Sequence, residues 1–432
     1  MKMLLLAIWL VVISFSAFSQ KLIDLYKNGT VKLVPDNGYA QGNDWDKVFK
    51  TYYDTIYNTP MSGRKSLVIM PDGSVVVNHQ YRNYYSKFSP AGKFEKEFGV
   101  VKSNGQWYKA VNAIEGVINN NTFFTGLDNI GNMLCFDFNG KMVKTLKLDY
   151  MAKQMIALPN NKIAVVGSTG WSDKWRDFVS IVDYETNKEN IIWDYFTPLP
   201  YVNNERQLFN YSYKFSFGGG ISCTTMPYSR NFGIKSPINI AYVREKLVIC
   251  NPMTGELKTY DPEGKLLSTD QIDWAKSFIS AEEQKEIQKE AIEKYKKNAN
   301  TEISDAIPAD GRGKLEEYRI AFQTMIKEME YDLTRIKDPI PLPFFSTVIK
   351  DSDGNLLFFE YTDKENANKF NVWIYESGGK FIGQSSFVCD EYNLEINPAK
   401  MVFHNGYIYG LQLLKNAPGV PLRLVRFKLV NE

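Results

Sequence analysis

Residues 67–98, LVIMPDGSVVVNHQYRNYYSKFSPAGKFEKEF, decide the fold. The stretch predicts four strands, because short β-branched or aromatic runs alternate with Gly, Pro and Asp. The predicted strands are Leu67–Met70, Ser74–Asn78, Tyr84–Ser89 and Lys93–Phe98. A single four-stranded meander of this length cannot bury both of its faces. It therefore needs copies of itself beside it.

The rest of the chain supplies five further copies with a period of roughly 40 residues. They run from Ala110 to Leu148, Met151 to Phe196, Ser236 to Ile272, Phe345 to Phe387 and Ala399 to Val430. The last copy has only three strands. Leu22–Val34, which precedes the first copy and has the pattern of a strand or hairpin, is expected to supply the missing outer strand and to hide the edges. Gln207–Asn231 is strand-like but irregular, and it would make a seventh unit if it were a copy.

Several copies share the turn before their last strand, seen in KFSPAGKFEKEF, FDFNGKMVKTL and TYDPEGKLLST, and the copy from Phe345 to Phe387 reads IKDSDGNLLFFE and then NVWIYESGGKFIGQ. Repeated four-strand units of this length are typical of β-propellers. The pattern resembles the NHL-type six-bladed propellers of exported bacterial proteins and covers nearly all of the chain except a helical break. The predicted fold class is all-β. It is a six-bladed β-propeller, or a seven-bladed one, with an N-terminal strand closing the last blade and an α-helical hairpin insertion.

The helical break runs from Ser280 to Ile336. Ser280 and Glu283 form a capping-box pattern, and Ile287, Ala291 and Tyr295 then share one helix face. A second helix is predicted after 311–313. The predicted domains are a signal peptide at 1–19, the first part of the propeller at 20–279, the helical insertion at 280–338 and the last two blades at 339–432.

The first 19 residues predict export. Lys2 precedes an apolar run from Met3 to Ile13, and Ala17 and Ser19 have the spacing of a signal peptidase site. The run is too short to span a bilayer, although an uncleaved membrane anchor is the alternative. We therefore expect a secreted or periplasmic protein that is not an integral membrane protein. The net charge of +2 gives no general attraction to nucleic acid.

The four cysteines are far apart and include no C-x-x-C pair. This spacing does not support a metal knuckle or a redox pair. Buried free thiols are the favoured interpretation, and a Cys223–Cys250 disulfide is the alternative.

The motifs of common enzyme classes are absent from the sequence. There are two histidines, His79 and His404, and no H-E-x-x-H, G-x-S-x-G or P-loop. Residues 351–355, DSDGN, resemble the front of a calcium loop but coincide with a predicted hairpin turn. Some related propellers are metal-dependent hydrolases or lactonases with carboxylates and amides around the axis. The predicted inner strands offer only Glu115 and Asn239, so no cofactor is predicted, and an axial Ca²⁺ belongs to this alternative function.

The favoured function is binding. In a four-strand blade, the loops between the second and third strands share one face with the connections between blades. Tryptophan, tyrosine and arginine, which dominate binding hot spots, concentrate in these segments, whereas the other turns are short and plain. The candidate binding residues are His79, Arg82, Tyr84, Trp107, Tyr108, Trp171, Trp175, Arg176, Tyr228 and Arg230. The sequence thus predicts an exported module that binds a protein, peptide or glycan through this face, where the helical insertion also emerges.

Overall fold

The computed structural model describes most of the chain after residue 21. The described residues are 22–27, 29–50, 66–78, 85–98, 102–103, 106–107, 114–119, 121–127, 132–169, 175–197, 214–217, 221–224, 238–300, 323, 326–327, 329–361 and 369–432. Their structure is mainly β-sheet with a few helices, as the sequence predicted. The predicted signal peptide lies outside these residues.

The described elements include six successive β-meanders. Helix α1 (Leu22–Lys27), strand β1 (Thr30–Pro35) and helix α2 (Trp45–Val48) come first. Meander 1 consists of β2 (Ser66–Ile69), β3 (Val75–Asn78), β4 (Tyr85–Phe88) and β5 (Phe94–Phe98), and the hairpin β6 (Lys102–Ser103) and β7 (Gln106–Trp107) follows. Meander 2 consists of β8 (Ile114–Ile118), β9 (Thr122–Leu127), β10 (Asn132–Asp137) and β11 (Met142–Lys147). Meander 3 consists of β12 (Met151–Leu158), β13 (Lys162–Thr169), β14 (Trp175–Asp183) and β15 (Glu189–Thr197).

The second half of the chain continues the same plan. A hairpin of β16 (Lys214–Phe217) and β17 (Ile221–Thr224) precedes meander 4, which consists of β18 (Asn239–Val243), β19 (Lys246–Cys250), β20 (Glu256–Tyr260) and β21 (Leu266–Gln271). Strand β22 (Phe278–Ile279), helix α3 (Ala281–Asn300) and strand β23 (Ile340–Pro341) follow. Meander 5 consists of β24 (Thr347–Lys350), β25 (Asn355–Phe359), β26 (Lys369–Glu376) and β27 (Phe381–Val388). Meander 6 consists of β29 (Met401–His404), β30 (Tyr407–Leu414) and β31 (Leu422–Asn431), and the short strand β28 (Tyr392–Asn393) before it also pairs with β30.

The strands of meanders 1 to 5 pair antiparallel in chain order, which gives every meander two ends. We call the end with the turns between the first and second and between the third and fourth strands the turn end. The opposite end, with the loops between the second and third strands and the connections to the next meander, is the loop end. The four strands of meander 1 begin and end within one or two residues of their predicted bounds.

The N-terminal segment differs from its prediction. Leu22–Val34 was expected to be a strand or hairpin throughout, but its first part is helix α1. Leu22, Leu25 and Tyr26 are buried at the three- and four-residue spacing of a helix, which accounts for the difference. Gly29 follows with a φ of +97° and turns the chain into β1.

Strand β1 has two partners. It pairs antiparallel with β31, the last strand of meander 6, from Val31 opposite Asn431 to Pro35 opposite Phe427. It also pairs parallel with β27, from Thr30 opposite Ser386 to Lys32 opposite Val388. The second pairing was not predicted. It unites meanders 5 and 6 in one nine-stranded sheet and covers the outer edges of both.

The hydrophobic core consists of clusters between neighbouring meanders. One cluster joins Val76 and Tyr85 of meander 1 to Phe136 of meander 2. Further clusters join meanders 2 and 3, 3 and 4, 4 and 5, and 5 and 6. A sixth packs Leu411 and Leu424 of meander 6 against meander 1. In the described residues, the hydrophobic core thus lies between the meanders.

Hydrogen bonds link the first strands of neighbouring meanders. The Gln154 amide bonds to both the main-chain N–H and the carbonyl of Ile240, at 2.9 Å each. Asn239 Oδ1 accepts the N–H of Val348 at 3.2 Å. The N–H of Leu67 donates to the carbonyl of Ala399, just before β29, at 2.8 Å. Meander 6 is thus bonded directly to meander 1.

An ion pair fastens the residues after β1 to β31. Asp36 Oδ2 accepts hydrogen bonds from Arg426 Nε at 3.0 Å and Nη2 at 2.6 Å. The guanidinium also lies over the rings of Tyr39, at 4.7 Å, and Tyr407, at 4.5 Å. Burial alone would raise the pKa of Asp36, but the hydrogen bonds from Arg426 and the Gly38 N–H hold it below its ordinary value.

The lowered pKa of Asp36 predicts acid sensitivity of this contact. A carboxyl whose pKa is lower in the folded state adds stability above its unfolded value of about 3.9, and that stability is lost as the pH falls through the folded pKa. We expect the stability difference between the wild type and Asp36→Asn to be largest above about pH 5 and to shrink steadily on acidification. Urea unfolding at several pH values measures it. A difference that stays constant with pH would contradict the prediction.

The cysteines in the described core are free thiols. Cys135, Cys250 and Cys389 are all buried and unpaired. The alternative Cys223–Cys250 disulfide is therefore wrong, because Cys250 is a free thiol in β19. Burial raises the pKa of Cys135 to about 12, which keeps this thiol unreactive at neutral pH.

The predicted capping box at Ser280 is confirmed at the start of α3. The N–H of Ser280 donates to Glu283 Oε2 at 2.8 Å, and the N–H of Glu283 donates to Ser280 Oγ at 3.2 Å. None of the described helices is long and apolar enough to cross a membrane.

The buried face of α3 differs from the predicted one. Gln284, Gln288 and Ile292 are buried, whereas Ile287 and Ala291 are only partly buried. The side chain of Tyr295 lies outside the described residues. Gln288 Nε2 donates to the Met329 carbonyl at 3.0 Å, so polar side chains bind this helix to the returning chain. Hydrophobic spacing alone could not identify such a face.

Candidate functional site

Most of the ten candidate binding residues lie outside the described part of the chain. These are His79, Arg82, Tyr84, Tyr108, Trp171, Tyr228 and Arg230. Trp107 lies in the short hairpin β6–β7, and Trp175 begins β14, but only their main-chain positions are described. Arg176 is the candidate whose side chain is described.

Arg176 lies at the loop end of meander 3 and is held by an acidic neighbour. Its Nη2 lies 2.8 Å from Asp194 Oδ2, and its guanidinium lies over the Phe178 ring at 5.5 Å. Lys153 forms a second pair beside it, with its Nζ 2.6 Å from Oδ1 of the nearly buried Asp177. Both pairs include a residue near the start of β14, just after residues 170–174 of the chain. The pairs fix the position of charged groups at this end of the meander.

Hydrogen bonds attach the base of the helical insertion to the loop end of meander 4. The N–H of Phe344 donates to the carbonyl of Pro252 at 2.8 Å, and Lys276 Nζ donates to the carbonyl of Met253 at 2.8 Å. Pro252 and Met253 belong to the loop between the second and third strands. Strands β22 and β23 pair at the base of the insertion. For this meander, the loop and the connection share one end, as the topology predicted.

A cleft of about 520 Å³ lies at the opposite, turn end of the molecule. It is lined by 242–244, 350–354 and 403–405, which form the first turns of meanders 4, 5 and 6. This cleft was not predicted, because the turn end was expected to be plain. The signal in the sequence is that these turns carry Arg244, Asp351 and His404, whereas the earlier ones read PDG and PNN.

Asp351, which forms part of the cleft wall, has a structural role. Its Oδ1 accepts the main-chain N–H groups of Asp353 and Asn355, and its Oδ2 accepts Asn355 Nδ2 and the Tyr26 hydroxyl of helix α1. Burial raises the pKa of Asp351, although these hydrogen bonds oppose the shift. The interpretation of residues 351–355 as turn chemistry rather than a calcium loop agrees with these contacts.

Two cations of the cleft are held by main-chain oxygens. Arg244 Nη2 donates to the carbonyl of Asp353 at 2.9 Å, and Lys350 Nζ donates to the carbonyl of Tyr242 at 2.9 Å. Each side chain therefore crosses to the neighbouring meander. Burial lowers the pKa of His404, so its ring is neutral at pH 7.

The described residues contain no cluster of three or more His, Cys, Asp or Glu side chains suited to a metal ion. Of the two predicted axial groups, the side chain of Glu115 lies outside the described residues. Asn239 Oδ1 accepts hydrogen bonds from the hydroxyl of Thr347 at 3.3 Å and from the N–H of Val348. Asn239 thus has a role in joining meanders 4 and 5.

No family model and no curated protein matches this chain. Among solved structures, it is similar to a member of the DUF4221 family from Bacteroides vulgatus, with a TM-score of 0.49, 12% identity and coverage of 94% of this chain and 100% of that chain. For virginiamycin B lyase from Staphylococcus aureus, the TM-score is 0.38 at 10% identity, with 86% of this chain and 96% of that chain covered. For the calcium-binding protein regucalcin from Agrobacterium tumefaciens, the TM-score is 0.39 at 8% identity, with 87% and 92% covered. At these scores, the likeness assigns neither family nor function.

Proposed function

We propose that the six meanders are the blades of a closed six-bladed β-propeller. Three observations support this ring: a core cluster between each pair of neighbours, the cluster that joins meander 6 to meander 1, and the bond from Leu67 to Ala399. Within the described part of Gln207–Asn231, β16 and β17 pair only with each other, which favours six blades over seven. Strand β1 completes the last blade.

The function that we propose is that of an exported binding module whose loop end engages a protein, peptide or glycan. The observation that carries this proposal is the pair of hydrogen bonds that attach the base of the helical insertion to the loop of meander 4. The long insertion and the long loop of meander 3 would then share one end of a rigid scaffold, and binding residues concentrate on such loops. The pairs Arg176–Asp194 and Lys153–Asp177 support it, because preformed charged groups bind at a lower entropic cost. Export would depend on the leader at 1–19.

Affinity capture from envelope extract tests the binding surface. The double variant Trp171→Ala and Arg176→Ala removes an aromatic and a cationic candidate from the loop of meander 3. We expect the amount of the main captured partner to fall by at least about tenfold, since such residues dominate interface energies. Quantitative mass spectrometry of the captured material measures this.

The matched control is Lys380→Ala with Phe381→Ala, an exposed cation and aromatic at the turn end of meander 5. It should capture the partner as the wild type does, and thermal unfolding should show that both variants are folded. Equal capture by the wild type and the loop-end variant would overturn the proposed surface. The metal-dependent hydrolase or lactonase remains the alternative, and Ca²⁺-dependent lactone hydrolysis by the wild type would favour it instead.

A further inference from the structure

The cleft at the turn end has the dimensions of a small-molecule site. Its volume of about 520 Å³ lies within the range of roughly 300 to 1,000 Å³ that is usual for ligand pockets. Three turns from three meanders form it, and all three are fixed to the scaffold by strand pairs. Its walls are therefore preformed.

The cations of this cleft lack carboxylate partners in the part of the chain that the structure describes. Arg244 and Lys350 each donate to a main-chain carbonyl, and neither forms an ion pair there. By contrast, Arg176 and Arg426 both pair with aspartates. A guanidinium has five N–H donors and an ammonium has three, so both groups keep donors for a ligand.

The two carboxylates of the cleft, Asp351 and Asp353, accept hydrogen bonds from groups other than Arg244 and Lys350. The carboxylate of Asp351 accepts four hydrogen bonds from Tyr26, Asn355 and the turn itself. The carboxylate of Asp353 accepts the N–H of Leu22, at the start of α1, at 3.1 Å. Residues of helix α1 thus donate hydrogen bonds to both carboxylates, whereas Arg244 and Lys350 line the cleft.

Arg244 is also held in a defined position. It has a φ of +47°, and its side chain lies across Gly354, where an added Cβ would approach Arg244 Nε to 3.0 Å. The guanidinium crosses to meander 5 and the Lys350 ammonium crosses to meander 4, and both residues line the same cleft. Oriented cations of this kind bind carboxylate and phosphate groups with charge-assisted hydrogen bonds.

We propose that this cleft is a second binding site, which takes a small organic anion through a carboxylate or phosphate group held by Arg244 and Lys350. The site lies at the opposite end of the meanders from the proposed partner surface. A result that contradicts one of the two proposals therefore leaves the other unaffected.

Isothermal titration of the full chain with citrate and with inorganic phosphate tests this site. We expect at least one of them to bind, and to bind more weakly as the salt concentration rises. Arg244→Ala and Lys350→Ala should each weaken binding by at least about tenfold, because each removes charged hydrogen bonds. Citrate binding alone would identify a carboxylate site, and phosphate binding alone would identify a phosphate site.

Two further variants distinguish a loss of anion binding from a loss of the folded structure. Ser352→Asp places a negative charge at an exposed position of the cleft and should abolish binding without lowering the unfolding temperature. Lys265→Ala removes an exposed lysine from the other turn of meander 4 and should bind as the wild type does. No heat of binding with either anion, or equal binding by the wild type, Arg244→Ala and Ser352→Asp, would overturn the proposal.

Discussion

Leu33→Asp is expected to lower the free energy of unfolding by more than about 4 kcal/mol, which is the range of an unpaired charge forced into a core. Leu33 is 1% exposed and packs in the cluster between meanders 5 and 6. Strand β1, which carries it, pairs with β27 on one side and β31 on the other. Disrupting this strand would therefore expose two sheet edges at once.

Urea unfolding followed by tryptophan fluorescence measures the effect of Leu33→Asp. Lys32→Ala is the matched control, because Lys32 is the next residue of the same strand and has a half-exposed side chain paired with the exposed Asp390. It should unfold almost as the wild type does. If Leu33→Asp were as stable as Lys32→Ala, β1 would not be essential to the fold.

Arg426→Ala is expected to lower the free energy of unfolding by about 3 kcal/mol, because it leaves the partly buried Asp36 without its cation. The side chain of Asp36 is only 12% exposed, so water can replace little of the lost interaction. The substitution also removes the cation from the rings of Tyr39 and Tyr407.

A double-mutant cycle of Arg426→Ala and Asp36→Asn isolates the ion pair from the ring contacts. Arg176→Ala is the control of the same residue type. Its partner Asp194 is 45% exposed, so its loss should cost less than about 1 kcal/mol. Equal losses for Arg426→Ala and Arg176→Ala would show that burial does not strengthen the Asp36 pair.

The repeated meanders could be predicted from sequence because their turns are local. Gly73, Gly92, Gly140 and Gly264 all have positive φ, as the third residues of PDG, PAG, FNG and PEG turns. Each such turn fixes the strands on either side of it. The sequence pattern therefore predicted the strands of meander 1 almost to the residue.

Features that depend on distant contacts could not be predicted in this way. The pairing of β1 with β27 joins segments with no common sequence motif. The cleft needs three turns, around Arg244, Asp353 and His404, that become neighbours only when the meanders pack. The buried glutamines of α3 have the composition of a solvated face, and only their carbonyl partners explain their burial. The predicted partner surface rests largely on residues outside the described ranges.

The contact between Asp36 and Arg426 has a consequence for the order of folding. These residues are 390 positions apart, so their pairing closes a loop of the chain that includes nearly all of the meanders. Such a closure has a high entropic cost until the intervening units have formed. During folding, β1 must therefore wait for β31, the last of the described strands. The edges of β27 and β31 stay open until that final step, and these two strands are where self-association of unfinished molecules should begin.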